Sequence, residues 1–159
     1  AKLAPDSLKL EIVEIAHLSI YNQDLDGSPP ADWVALKDKI RSADAVLFVT
    51  PEYNRSVPGV LKNAIDVASR PYGQSAFDGK PAAIMSVSPG AIGGFGANHH
   101  LRQILTFLNM PAMQQPEAYV GGAANLFAAD GSIQVEATRD FAKKFLETFA
   151  AWIDKNAKK

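Results

Sequence analysis

Ala45-Val46-Leu47-Phe48-Val49-Thr50-Pro51-Glu52-Tyr53-Asn54-Arg55-Ser56-Val57-Pro58-Gly59 is the stretch on which the fold turns. Its first half is a continuous apolar run of strand length, the pattern of a central parallel strand covered on both faces. The run stops at Pro51, and a short polar loop follows. Pro58 suits the first turn of a helix, and Val60, Leu61, Ala64, Ile65 and Ala68 mark one helical face through Ser69. Pro71 ends it.

The same alternation of elements extends in both directions. Upstream, Leu8, Leu10 and Ile12 alternate with Lys9 and Glu11, and Val13 and Ile15 follow, which predicts a half-buried strand. His17 to Pro30 reads as a loop, and Ala31 to Ala43 as an amphipathic helix with Trp33, Val34, Leu36 and Ile40 at near-helical spacing. Downstream, Pro81 to Ser88 reads as a second buried strand that ends at Pro89-Gly90. Gly93, Gly94 and Gly96 precede a helix from Ala97 to Leu108, with His100, Leu101, Ile104, Leu105 and Leu108 spaced to face the sheet. A weaker strand is predicted near Glu117 to Val120. The final helix is lined by Val135, Phe141, Phe145, Phe149, Trp152 and Ile153 and runs into a lysine-rich end, Lys155, Lys158 and Lys159, read as a solvated tail. Strand and helix alternate throughout, so the expectation is one α/β domain over residues 1–159, a doubly wound parallel sheet in three layers, α/β/α.

Composition narrows the chemistry. The 159 residues are 47% hydrophobic and 21% charged, ordinary for a soluble globular chain. Cysteine is absent, which excludes disulfides, thiolate catalysis and thiolate metal sites. A net charge of −1 argues against sequence-independent binding of nucleic acid, which rests on a basic surface. No apolar run approaches the roughly 20 residues that cross a bilayer, so no membrane association and a cytoplasmic location are expected. His99 and His100 are adjacent and point apart on a helix, so no metal site is expected; His100 is expected to pack or hydrogen-bond near the sheet and His99 to be exposed.

Open parallel sheets bind ligands beyond the carboxyl ends of their strands, which selects Pro51 to Ser56 and Pro89 to Gly96. The first combines an aromatic, a carboxylate, an amide and a hydroxyl with free backbone N–H groups near a helix N-terminus. Such donors suit a planar, electron-rich heterocycle, whose acceptors gain electron density on reduction. Read on composition alone, the same loop could simply cap the following helix, and the glycines could be a flexible connection.

Pro51-Glu52-Tyr53-Asn54, then Ser56-Val57-Pro58-Gly59, Leu61-Lys62-Asn63-Ala64-Ile65-Asp66 and Ser69-Arg70, resemble the signature of the NADPH-dependent FMN reductase family. Ser86-Val87-Ser88-Pro89-Gly90 with Gly93-Gly94 and His100-Leu101-Arg102-Gln103 is similar to its second flavin-side segment. The resemblance implies a flavodoxin-like fold, noncovalent FMN, NADPH or NADH as donor, and quinones, free flavins, azo compounds or chromate as small-molecule acceptors. It implies that Pro51, Glu52, Tyr53, Asn54 and Ser56, with Ser88, Pro89, Gly90, Gly93 and Gly94, bind the cofactor. Tyr53 and Arg70 would shape the substrate opening, and no residue is assigned a catalytic role, since hydride transfer to the flavin needs no protein base at that step. A homodimer or homotetramer is implied as well. The rival readings are a non-catalytic flavin carrier or redox-responsive binding protein, and a flavin-free remnant.

Family members normally open with a strand and a Gly-Ser-Leu-Arg type loop, whereas this sequence begins at Ala1-Lys2-Leu3-Ala4-Pro5-Asp6, which resembles the end of the first helix. In the order 2-1-3-4-5 that strand lies centrally, between Leu10–Ile15 and Val46–Thr50. The expectation is that this strand and the phosphate-holding loop belong to an upstream piece, or that another segment fills the gap, and that no direct pairing joins those two segments.

Overall fold

The computed structural model of the chain describes residues 1–157. Its sheet is parallel and three-stranded, β1 (Val46–Pro51), β2 (Ala82–Val87) and β3 (Ala118–Val120), in the order β1-β2-β3. β1 and β2 run in register from Val46 opposite Ala82 to Pro51 opposite Val87, and β3 joins with Ala118 opposite Met85. The helices are α1 (Ala31–Ser42), α2 (Gly59–Ser69), α3 (Phe95–Phe107) and α4 (Glu136–Asn156). Parallel neighbours need a crossover, and α2 and α3 supply the two that the sheet requires.

Each helix forms around an apolar stripe. In α1, Trp33, Leu36, Lys37 and Ile40 are buried at i, i+3, i+4 and i+7, while Asp32 in the first turn and Lys39 and Arg41 in the last complement the helix dipole. Asn63 in α2 is buried for a different reason: its side chain accepts from the Tyr21 amide at 2.9 Å and donates to the Ser19 carbonyl at 3.0 Å. It staples the 17–30 loop to the helix.

The core divides at the sheet. Trp33, Ile65, Leu101 and Leu105 pack with Phe48 and Ile84 on one face, and Phe145, Leu146 and Phe149 pack with Ala83, Met113 and Ala118 on the other. Three helices thus cover one face and α4 the other, the three layers expected. Lys155 is exposed; Lys158 and Lys159 of the predicted lysine-rich end lie outside the described residues.

Two expectations are corrected. The stretch predicted as a strand, Leu8 to Ile15, has no strand assignment, because a strand requires a ladder partner and the sheet offers it none. Its alternation reflects packing only in its first half: Leu8 and Leu10 contact the α4-side core and Lys9 and Glu11 stay outside, where Glu11 pairs with Lys39, but Ile12 is exposed and Ile15 contacts the opposite core. β1, predicted to be central and covered on both faces, is an edge strand among the described residues, with Val49 59% exposed while Phe48 and Thr50 are buried. As expected, Leu10–Ile15 and β1 do not pair.

Candidate functional site

Pro51 lies opposite Val87 in the ladder, so β1 and β2 end level and their following turns start side by side. The register alone therefore brings the two sequence-selected segments to one carboxyl edge.

The first segment folds into a tight hairpin. Tyr53 and Ser56 exchange backbone hydrogen bonds, each 3.0 Å, and the residues between them, Asn54 and Arg55, have φ of 51° and 64°. Positive φ at both central positions is the geometry of a type I′ turn. Closing in this way, the turn leaves the amides of Asn54 and Arg55 without a hydrogen-bond partner among the described residues. Tyr53 is 61% exposed beside them.

The second segment is tied to β3. Ser88 donates its amide to Val120 at 2.9 Å, its hydroxyl donates to the Gly90 carbonyl at 3.1 Å, and Gly93 donates to the same carbonyl at 3.3 Å. The amides of Gly90 and Ala91 stay unpaired among the described residues. Gly93 and Gly94 have φ of 60° and 78°, and a Cβ would lie 2.5 Å from the Tyr119 carbonyl carbon or 2.9 Å from Ser86 Cβ. The room that Gly93 and Gly94 leave is thus taken by β3 and β2.

The two segments also touch through α3. Glu52 Oε2 accepts from the Ala97 amide at 3.1 Å, and Ser56 Oγ pairs with His100 Nδ1 at 2.8 Å. His100, expected to lie near the sheet, is exposed and meets the first turn instead, because Leu101 and Leu105, fully buried, take the sheet-facing stripe of α3 and leave His100 beside it. His99 is exposed as expected; it stacks on Tyr119, and its Nε2 pairs with that residue's hydroxyl at 3.0 Å. Burial pushes the Tyr119 phenol up, and the neighbouring Glu117 carboxylate adds to the effect. Beneath the turn, buried Asn98 donates to Ser86 Oγ and to the Ala118 carbonyl, both at 3.3 Å, and accepts from Arg102 Nε at 3.1 Å. Sequence reasoning missed Asn98, because a buried amide inside an amphipathic helix leaves no periodic signal.

Arg70 is not brought to this edge. It is the C-cap of α2, about 16 Å along the helix axis from the Gly59 end that follows the Tyr53 turn. Tyr53 and Arg70 thus lie at opposite ends of α2. Arg70 instead borders a groove of 1110 Å³ between α2 and α3 that reaches Ser56 and His100 at its other end.

Fold and site together define a doubly wound α/β domain with a ligand position between two strand-to-helix turns. The chain belongs to the NADPH-dependent FMN reductase family, whose model matches residues 1–125. A quinone reductase of Pseudomonas putida is 62% identical over 98% of this chain and 84% of its own length. A 2-hydroxy-1,4-benzoquinone reductase of a Burkholderia species is 46% identical over 96% of this chain and 84% of its own. Among solved structures, FerB, a flavoenzyme NAD(P)H:(acceptor) oxidoreductase from Paracoccus denitrificans, superposes with a TM-score of 0.91 at 45% identity, covering 99% of this chain and 86% of that one.

The family cofactor is FMN, and the residues present fit its ring. Asn54, Arg55, Gly90 and Ala91 supply backbone donors with no internal partner, on turns that begin at paired strand ends. A planar ring with acceptors along its edge satisfies such donors.

Proposed function

We propose that the protein is an NAD(P)H-dependent FMN oxidoreductase that passes two electrons to quinones, with free flavins, azo compounds and chromate as further acceptors. The observation that carries this reading is the meeting of two turns with unpaired amides at one sheet edge. The names of the quinone reductase relatives support the choice of acceptor.

Bound FMN supplies the ring that takes a hydride from the nicotinamide and passes two electrons on. The chain's own residues orient and exclude. The amides of Asn54 and Arg55, with those of Gly90 and Ala91, would donate to the edge of a bound ring. Pro51, Glu52, Ser56, Ser88, Pro89, Gly93 and Gly94 fix those donors in place. Exposed Tyr53 borders the opening that donor and acceptor use in alternation, a ping-pong order in which NAD(P)+ leaves before the quinone enters. The quinone gains two electrons and two protons, one proton coming from solvent. A cytoplasmic setting suits a pyridine nucleotide donor.

Self-association, as a homodimer or homotetramer, belongs to the same reading. The α2–α3 groove, with Phe107 76% and Tyr72 82% exposed at its rim, supports it. A monomer mass by light scattering would remove this part alone.

The test is anaerobic. The FMN-loaded protein should lose its flavin colour on addition of NADPH and regain it on addition of a benzoquinone. Bound flavin that no nicotinamide reduces would favour a carrier, and colourless protein after FMN addition would favour a flavin-free remnant.

A further inference from the structure

α3 begins without a local cap. Its N-cap residue, Gly94, has no side chain to accept from the first-turn amides, and that turn contains no acidic residue. A helix start this close to a sheet edge leaves N–H groups that require acceptors. The acceptor comes instead from 45 residues upstream, where Glu52 Oε2 takes the Ala97 amide at 3.1 Å.

Three further observations show how closely the first turn is seated on α3. Ser56 Oγ pairs with His100 at 2.8 Å, three residues and nearly one helical turn beyond Ala97, so both ends of the hairpin grip one helix face. Gly96 lies between these ties, and a Cβ there would fall 2.7 Å from the Arg55 carbonyl oxygen and 2.9 Å from Glu52 Oε2. The hairpin also closes on itself through Tyr53 and Ser56.

We propose that Glu52 is a positioning residue that caps α3 from across the sheet edge and so fixes the spacing between the two flavin-binding turns, without touching the ring. This rests on the FMN reading above, and it turns the acidic residue of the Pro51–Asn54 segment from a ligand contact into a clamp. A carboxylate at a helix N-terminus is favoured by the dipole as well as by the hydrogen bond. A glutamine retains an acceptor oxygen in the same place, whereas alanine removes it. Gly96→Ala keeps every hydrogen-bonding group but forces the turn off the helix.

The experiment measures two quantities on the full chain and its variants: hydrogen exchange of the 95–98 amides without flavin, and FMN affinity by fluorescence quenching. Glu52→Ala should speed exchange in that turn and weaken FMN roughly five- to tenfold, the size of a lost cap. Glu52→Gln should restore both to within about twofold, and Gly96→Ala should mimic Glu52→Ala. Unchanged exchange and affinity in Glu52→Ala would overturn the clamp. So would a Glu52→Gln variant that keeps slow exchange yet binds FMN as weakly as alanine, because the charge would then be acting on the ligand. If the unsubstituted chain takes up no FMN, the functional reading fails, and the exchange arm alone decides whether Glu52 caps α3.

Discussion

Tyr53 and Ser56 hold each other by two backbone hydrogen bonds of 3.0 Å, and the turn they close forces Arg55 to a φ of 64°. A side chain there costs energy that glycine avoids, and the Asn-Gly pair is the preferred occupant of such a turn. Glycine also gives the unfolded chain more freedom, which offsets part of the gain. Arg55→Gly is expected to raise the unfolding free energy by about 0.5 to 1 kcal/mol, read from urea denaturation at constant m-value. A loss of stability would mean that the arginine side chain contributes more than its backbone strain removes.

Gly93 faces the opposite demand. Its φ is 60°, and an added Cβ would overlap the Tyr119 carbonyl carbon at 2.5 Å, so Gly93→Ala combines backbone strain with displacement of β3. The expected cost is about 3 kcal/mol in thermal or chemical unfolding. FMN affinity should fall with it; an alanine variant of ordinary stability would contradict the packing described here.

Asn98 is fully buried and serves both neighbouring strands, through Ser86 on β2 and Ala118 on β3, while holding Arg102. Asn98→Ala should destabilise the fold by about 2 to 3 kcal/mol, because it leaves buried partners unpaired. A cost near zero in equilibrium denaturation would show that the network carries no stability.

Asp32 gives the fold an acid dependence. Its carboxyl is held below the usual aspartate value of 3.8, chiefly by the Ser19 amide, with the Ser19 hydroxyl also lowering it. A group depressed in the folded state binds protons more readily when unfolded, so its stabilisation is present above 3.8 and is lost as pH falls through the lower folded value. Asp32→Asn removes the titrating group. The urea midpoint of the natural chain should therefore drop more steeply than that of Asp32→Asn as the solution is acidified below 3.8; parallel curves would rule out the contribution.

Much of this was legible in the sequence because periodicity reports burial. The runs at Ala45–Thr50 and Pro81–Ser88 and the stripes in α1, α2 and α4 match their elements to within a residue or two. Leu8 to Ile15 misled for an instructive reason: alternation records which side chains are covered, whereas a strand also needs a partner edge. At the site, the motif pointed to both turns and the ladder register joined them. The reasons for individual residues stayed hidden. That the Glu52 carboxylate reaches the Ala97 amide, and that Arg70 stands at the far end of α2 from the first turn, could not be read from the motif. Tertiary distance across a turn has no signature in one chain.

The central claim is that one flavin ring rests on both turns together, and hydrogen exchange with and without FMN tests it most directly. The account predicts that FMN slows exchange in both segments, 52–57 and 89–95, with the Asn54, Arg55, Gly90 and Ala91 amides among the protected sites. Binding that protects neither segment, or only one of them, would contradict it.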